Sequence, residues 1–384
     1  MRPVSPDAYL RFRMLRRHAL LLPLLAALPG ASQAASRRDL PLLAETAAIS
    51  PAGQAVAYVT APGRRPAVVV KDFATGRALL RAELGAAPVR RVQWAGEGRL
   101  LILASEAGGR TMAYVLDVAR RRLTRLLRDA PHARQTIVGL PVVRTLGGRS
   151  IVYLQAAADP GRTFVSLVRA DLDPLSVQLA AAGGAGSRAW VVDELGEPAA
   201  VELYDPAKRR WTLRVRTAGG WREAHSAAAG PGAFRLLGLA RDGKAVLYAA
   251  REPGGGLVWR EARLDGAPAA GPLALPDAAE PLHDPQDGRV IGYAAPAGGE
   301  VPYAFFDPED AAAWKAVARA FPGDRVRLAS WSADRRRILA LVDSSADGPA
   351  YAQVDLASRV ATWIGPDSAF RPGRPPRPAP GPAS

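Results

Sequence analysis

One short pattern recurs seven times along this chain. In each copy a turn residue, which is glycine in six of the seven, precedes by five positions the last residue of a short apolar run. The turn residues are Gly53, Gly98, Gly148, Gly196, Gly243, Gly288 and Arg336. The matching apolar residues are Tyr58, Leu103, Tyr153, Val201, Tyr248, Tyr293 and Leu341, which lie 45 to 50 positions apart. A regular period in the forties, with one turn and one buried strand per unit, is typical of propeller blades.

The pattern predicts an all-β fold, a seven-bladed β-propeller over residues 40–366 with four antiparallel strands per blade. The first unit shows the order most clearly: a Pro-Gly turn at 49–54 is followed by an inner strand at 55–60, a third strand at 67–72 and an outer fourth strand at 78–84. Each unit holds its own four strands in sequence. We therefore expect that the two chain ends do not share a blade.

One segment departs from the strand pattern. Asp307 is a suitable N-cap, Pro308 stands at the first helical position, Glu309 and Asp310 follow, and a Pro-Gly pair at 322–323 ends the segment. These signals predict a helix inserted between the third and fourth strands of blade six. Elsewhere an aspartate recurs at the end of third strands, where it is expected to accept hydrogen bonds from turn amides.

The two ends of the chain differ from the repeats. An arginine-rich start, an apolar stretch at 19–28 and a small-residue run at 31–35 have the order of a secretory signal peptide, which we place at 1–35, with translation beginning at Met1 or Met14. Ten apolar residues are too few to span a bilayer, so no permanent membrane anchor is expected. The Pro/Arg-rich tail at 367–384 is expected to be disordered. We expect a periplasmic or secreted protein.

The composition limits the kinds of bonds and binding sites that the chain can form. The 384 residues contain no cysteine, which excludes disulfides and thiolate metal sites. The net charge of +15 is carried mostly by arginines spread over all the blades, so we interpret it as solvated surface and expect no nucleic-acid partner. A 48% hydrophobic content is ample for a packed core.

The sequence offers no catalytic, cofactor or metal site. There is no G-x-S-x-G nucleophile motif, and the histidines at 18, 132, 225 and 283 show neither triad nor zinc spacing. Residues 238–244 resemble part of a phosphate-binding loop, but Ala245 stands where a hydroxyl is needed and the segment coincides with the blade-five turn. The glycine cluster at 183–186 lacks dinucleotide spacing and is interpreted as a loop.

Four stretches resemble the N-terminal propeller of exported bacterial peptidases of the prolyl oligopeptidase family, of the dipeptidyl aminopeptidase or acylaminoacyl peptidase type. They are 49–53 with its strand, 70–76, 305–308 with the following helix, and 328–341. The resemblance implies a partner α/β-hydrolase domain with a Ser-Asp-His triad, and a propeller that caps the active site and admits small peptides. It also implies that Glu309 and Asp310 grip a substrate's amino terminus, although acids at a helix start serve the helix itself equally well.

Two hypotheses follow. The first is the substrate-gating, hydrolase-docking portion of an exported serine peptidase, not catalytic by itself, whose hydrolase half is encoded by the downstream DNA in another reading frame. The second is a stand-alone periplasmic propeller that serves as a protein-interaction scaffold.

Overall fold

A computed structural model shows seven antiparallel sheets, one for each sequence repeat. It describes residues 44–60, 66–85, 87–106, 108–128, 136–158, 164–228, 230, 232–252, 256–267, 271–276, 279–295, 302–344 and 348–364. The segments predicted as signal peptide and as disordered tail lie outside these residues. So do Met14 and the histidines at 18 and 132. Those assignments stay predictions.

The first four blades each contain four consecutive strands. Blade one contains β1 (Ala47–Ile49), β2 (Ala55–Thr60), β3 (Ala67–Asp72) and β4 (Ala78–Glu83), preceded by a 3-10 turn at Ala44–Thr46. Blade two contains β5 (Val89–Trp94), β6 (Arg99–Ser105), β7 (Thr111–Asp117) and β8 (Arg122–Arg125). Blade three contains β9 (Thr136–Leu146), β10 (Arg149–Ala157), β11 (Val165–Leu172) and β12 (Leu175–Ala181). Blade four contains β13 (Ser187–Val192), β14 (Pro198–Asp205), β15 (Arg210–Thr217) and β16 (Gly220–Ala228).

The remaining blades vary this plan. Blade five contains β17 (Phe234–Leu239), β18 (Ala245–Arg251) and β19 (Leu257–Arg263). Blade six contains β20 (Glu280–His283), β21 (Val290–Ala294) and β22 (Tyr303–Phe305), followed by α1 (Pro308–Arg319). Blade seven contains β23 (Arg325–Trp331), β24 (Arg337–Ser344), β25 (Gly348–Asp355) and β26 (Val360–Ile364).

The seven-bladed propeller is confirmed, and so is the prediction that the chain ends do not share a blade, because every sheet is built from consecutive strands. The prediction of four strands in every blade is wrong for blades five and six, which show three each among the described residues. In blade five, Leu273 forms only an isolated antiparallel bridge with Trp259 where a fourth strand would run.

The helix is confirmed, but its predicted place is wrong. It follows the third strand of blade six and leads directly to β23, the first strand of blade seven, rather than to a fourth strand of blade six. The reason is packing: Trp314 and Val317 of α1, with Phe321 just beyond it, fill the apolar interface between blades six and seven. Asp307 caps the helix as predicted, accepting a 2.6 Å hydrogen bond from the main-chain N–H of Glu309.

Apolar clusters lie between every pair of neighbouring blades and form the core, with two of them between blades three and four. The cluster between blades seven and one closes the ring; it packs Tyr58 and Val56 of β2 against Leu339 and Leu341 of β24. A hydrogen bond of 2.8 Å between the hydroxyls of Thr46 and Tyr351 joins the same two blades. A blade's apolar faces are thus hidden only when its neighbours are in place.

The recurring turns join the first strand of each blade to the second. The seven repeat residues that end the apolar runs all lie in second strands. We predicted that the strand after each turn is the inner one; this prediction is wrong, because the first strands lie nearest the axis, where Gln93 of β5 reaches the turn of blade six. In blade one Gly53 takes the left-handed conformation, with φ +72°, and its N–H donates to the Ser50 carbonyl. In blade seven the equivalent residue is Arg335, with φ +60°, whose N–H donates to Ser332.

Two turn assignments are therefore corrected. Arg335, rather than Arg336, occupies the glycine position of blade seven, because the hydrogen-bond pattern of its turn matches that of blade one. In blade two the left-handed residue is Gly96, with φ +80°, and Gly98 has no such backbone. The aspartates are structural as predicted. Asp72 and Asp117 each accept an N–H bond of 2.8 Å from the following turn.

Substitutions of two glycines should measure the contact that closes the ring. In Gly53→Ala the new Cβ would lie 2.8 Å from Cδ of Arg337, on blade seven, whereas in Gly76→Ala, at a similar φ of +66°, it would meet nothing within 4 Å. We expect Gly76→Ala to lower the free energy of unfolding by about 1 kcal/mol, the cost of the left-handed backbone alone. Gly53→Ala should cost about 2–3 kcal/mol because overpacking adds to that strain. Chemical denaturation measures both, and equal losses would contradict the ring-closure contact.

Candidate functional site: the central channel

The blade-six turn, residues 284–288, reaches across the axis of the propeller. The side-chain amide of Gln286 donates to the main-chain oxygens of Trp331 in blade seven and of Ile49 in blade one, the latter at 3.4 Å. Gln93 of blade two in turn donates to the main-chain oxygen of Gln286 at 3.3 Å. Four blades therefore meet at this turn, which closes the channel at the face that carries the turns.

Arg144 of β9 completes this closure from the other side. Its buried guanidinium donates to the main-chain oxygens of Asp287 at 2.6 Å, Asp193 at 2.8 Å and Val192 at 3.1 Å. Burial lowers the pKa of Arg144, while the neighbouring Asp287 carboxylate works in the opposite direction. The carbonyls satisfy a charge that could not remain unpartnered in the core, and the same contacts tie blade three to blades four and six.

Above this floor lies a cavity of about 530 Å³ along the first strands of blades three to six. Its wall runs from Val138 and Arg188 at the starts of their strands to Arg144 and Gly288 at the floor. This volume falls within the roughly 300–1,000 Å³ that small-molecule sites occupy. The cavity can hold a ligand of a few residues, but not a folded protein.

Polar side chains from second strands bind the inner edge of the next blade. The Glu202 carboxylate accepts a 2.9 Å hydrogen bond from the main-chain N–H of Leu236, on the first strand of blade five. Gln155 does the same for Trp190 of blade four, also at 2.9 Å. Burial raises the pKa of Glu202, although the main-chain N–H of Leu236 favours the charged carboxylate. The cavity wall thus contains an acid that protonates more readily than an exposed one.

His283 lies on the opposite wall, at the end of β20. Its Nε2 is 2.8 Å from the main-chain oxygen of Leu237, a contact that requires the tautomer with the proton on Nε2. Burial lowers the pKa of His283; the Leu237 carbonyl favours the charged ring, while Arg91 and Arg235 disfavour it. The imidazole is therefore neutral near pH 7 and joins blade six to blade five.

The predicted pair, Glu309 and Asp310, lies away from this cavity, at the boundary of blades six and seven. Glu309 is exposed at the start of α1. Asp310 is only 3% exposed, and its carboxylate lies 3.4 Å from Nε of Arg335. Arg335 also pairs with Asp284 at 2.5 Å and stacks 4.2 Å from the Trp331 ring centroid. Their role in gripping a substrate amino terminus stays a prediction; in this structure Asp310 already holds an ion pair.

The described histidines have no triad-like surroundings. His225 packs among Trp211, Phe234 and Tyr248, and burial lowers its pKa. Over the described ranges no group of three or more His, Asp or Glu residues is placed to hold a metal ion. No helix in that same part of the chain has the length and apolar character to cross a bilayer.

Sequence reasoning missed the residues that face the axis. Our interpretation of the arginines as solvated surface includes Arg188 and Arg235, which line the cavity together with Glu202. The signal available was their position: each lies in a short strand that is otherwise largely apolar, with Arg188 and Arg235 as the second residue of a first strand. In a ring, that position faces the channel.

No protein-family model matches the chain, and no curated protein sequence does so. Among solved structures, it is similar to a Mycobacterium tuberculosis puromycin-hydrolyzing peptidase, with 17% identity, a TM-score of 0.50, and coverage of 86% of this chain and 54% of that one. Other similar structures are a puromycin hydrolase (16% identity, TM-score 0.44, 86% of this chain and 54% of that one) and a prolyl endopeptidase (14% identity, TM-score 0.40, 83% and 40%). The chain thus spans about half the length of the puromycin-hydrolyzing peptidase, and the similarity shows the propeller fold.

The buried acid in the cavity should give a pH-dependent stability. A raised pKa in the folded state means that the folded protein holds the Glu202 proton more tightly than the unfolded chain does, so this stabilisation is complete below about pH 4.5 and is lost as pH rises through the folded pKa. Glu202→Gln removes this loss while its amide oxygen still accepts from Leu236. We expect the melting temperature of Glu202→Gln, relative to the parent, to rise between pH 4 and pH 8. The control is Glu223→Gln, at a glutamate 54% exposed, and an equal rise in that variant would contradict the assignment.

We expect the ion pairs of Arg335 to stabilise the fold by more than its left-handed backbone conformation destabilises it. Arg335→Gly relieves a left-handed backbone, worth about 1 kcal/mol, but leaves Asp310 buried without a counter-charge, which costs about 3–5 kcal/mol. We expect a net loss of about 2–4 kcal/mol in the free energy of unfolding. The control is Arg359→Gly, at an exposed residue with φ +58°, which should instead gain about 1 kcal/mol. A stabilising Arg335→Gly would contradict the structural importance of the pair.

Proposed function

We propose that this chain is the non-catalytic propeller of an exported peptidase of the prolyl oligopeptidase type, which docks an α/β-hydrolase domain and limits the peptides that reach it. The observation that carries the proposal is the channel: a seven-bladed ring closed at one face by the blade-six turn, with a cavity of about 530 Å³ inside. A cavity of that size admits short peptides and excludes folded proteins.

The comparisons support the same proposal. The propeller aligns with 54% of the puromycin-hydrolyzing peptidase, so about half of that protein lies outside the match. In the family that the sequence resembles, a hydrolase domain supplies the catalytic triad, and the described part of this chain places no serine and aspartate around either of its histidines. The propeller would therefore act as a filter and a docking surface.

The proposal predicts that the hydrolase half is encoded beside this chain. We expect the downstream DNA, read in all frames, to encode a strand, a G-x-S-x-G motif and a helix. The encoded segment, produced separately, should form a one-to-one complex with the full chain in size-exclusion chromatography with light scattering. An unrelated gene at that place, or no complex, would contradict the proposal.

Activity assays distinguish the two hypotheses about function. The purified chain alone should cleave neither a fluorogenic dipeptide amide nor casein, and the complex should cleave the dipeptide amide while leaving casein intact. Hydrolysis by the chain alone would show that its own residues are catalytic and would contradict the proposal. A chain that forms no hydrolase complex, but is a stable monomer that binds a periplasmic protein through one face, would instead support the stand-alone scaffold.

A further inference from the structure

The outer strand of blade three, β12, exposes an apolar row at the rim of the propeller. Leu175, Val177 and Leu179 alternate along this strand and are 44%, 38% and 49% exposed. Alternate residues of a strand share a face, so the three side chains lie side by side. A contiguous apolar row of this kind indicates a contact surface, which singly scattered apolar residues do not.

The main chain of β12 is open along its outer side. β12 is the last strand of its sheet and pairs on one side with β11. Within the described residues no strand lies along its other side. Such an edge presents a row of N–H and C=O groups that can pair with a strand of another molecule.

Charged side chains protect other outer strands of the propeller, but not β12. β4 contains Arg81 and Glu83, β16 contains Arg222 and Glu223, and β8 begins and ends with arginine. β26 also lacks charge, but only Thr362 of its residues is exposed. Charges on an edge strand prevent its pairing with other chains. The sequence of β12, Leu-Ser-Val-Gln-Leu-Ala-Ala, contains none.

The distribution of charge favours a second copy of this chain as the partner at this edge. With a net charge of +15, two copies repel each other wherever their basic surfaces meet. β12 brings no charge to a contact, and the charged residues beside it on β11, Arg169 and Asp171, pair with each other at 2.8 Å. The rim of blade three is therefore a place where two copies can approach with little repulsion.

The sequence of β12 also complements itself in an antiparallel pair. A two-fold axis perpendicular to the sheet passes through a residue that lies opposite its own copy. With Val177 on the axis, in the middle of the five exposed residues, Leu175 of one chain lies opposite Leu179 of the other, and Ser176 lies opposite Gln178. Apolar side chains thus meet apolar ones on one face, and uncharged polar side chains meet on the other.

We propose that two copies of this chain associate through β12, paired antiparallel around Val177, so that two four-stranded blades become one eight-stranded sheet. The contact uses the same edge on both copies and leaves neither edge free, so association ends at two copies. One pair of strands is a small interface, and we expect a dissociation constant in the micromolar range. This inference does not rest on the proposed function, because it involves neither the channel nor a hydrolase domain.

Sedimentation velocity of the full chain tests the association. We expect a monomer that converts to a dimer between about 1 and 100 μM, as for an interface of micromolar affinity. Leu179→Lys should weaken the dimer about tenfold or more, because it puts a charge among the apolar side chains of the contact. The matched control is Leu195→Lys, at a residue 74% exposed in the blade-four turn, which should dimerise like the parent.

A disulfide cross-link tests the register. Because the chain contains no cysteine, Val177→Cys introduces a single thiol. In the proposed pairing the two Cβ atoms lie directly opposite, about 4.5–5.5 Å apart, which is near the spacing that a disulfide requires. Mild oxidation should therefore link most chains into covalent dimers, whereas Leu195→Cys under the same conditions should remain mostly monomeric.

Four results would overturn the proposal. They are a chain that stays monomeric over the whole concentration range, association that continues beyond two copies, equal behaviour of Leu179→Lys and Leu195→Lys, and no cross-link in Val177→Cys. If the chain is monomeric and Leu179→Lys instead weakens a complex with the hydrolase segment expected downstream, the edge docks that domain and the self-association is wrong.

Discussion

The burial of every blade depends on its neighbours. Each sheet has two faces, and each face is covered by the sheet beside it, so that apolar clusters alternate with the seven blades around the ring. No strand is shared between the first and last blades, so closure rests on side-chain packing between β2 and β24 and on a few hydrogen bonds, such as that of Arg337 to the Gly53 carbonyl at 2.6 Å. Ring closure is thus a condition for stability, because an open array would expose two apolar faces.

Closure of the ring also creates the central channel, and the blade-six turn, residues 284–288, closes one end of it. The blade-six turn extends Gln286 to blades one and seven and receives Gln93 and Arg144 from blades two and three. These contacts are polar because polar groups that are shielded from water must find partners. The result is a floor at one face and a space above it whose walls carry charge. The same geometry that stabilises the ring provides the cavity on which the functional proposal rests.

The sequence predicted the fold well because its information is periodic. Turn residues such as Gly53 and Gly243, each followed by an apolar strand, recur at nearly equal spacing. Such a repeat can be recognised even where the sequence pattern of a single strand is weak. The capping signals of Asp307 and Pro308 identified the helix by local chemistry alone. Its place was misjudged because the interface that it fills, between blades six and seven, is a tertiary property. The arginine that substitutes for glycine was placed one residue too late because Arg335 keeps the turn through its backbone, which the residue type does not reveal.

The residues of the candidate site could not be recognised from the sequence, and the reason is a different one. Arg188 and Arg235 look like the other arginines of a strongly basic chain, and only the curvature of the ring brings residues from blades four and five to one cavity. Likewise Asp310, predicted as a substrate contact, is buried against Arg335 because α1 packs into the interface. A sequence shows which residues alternate along a strand, but not which of them reach a channel that several blades form together.

Hydrogen–deuterium exchange of the full chain tests ring closure most directly. If the seven blades close one cooperative ring across the axis, the amides of first strands β1, β5, β9, β13, β17, β20 and β23 exchange slowly and on one common timescale, that of global unfolding. If β1 and β23, which meet at the point of closure, exchange much faster than the first strands of blades three and four, the ring opens there independently. That result would contradict the account, because the channel and its floor exist only in a closed ring.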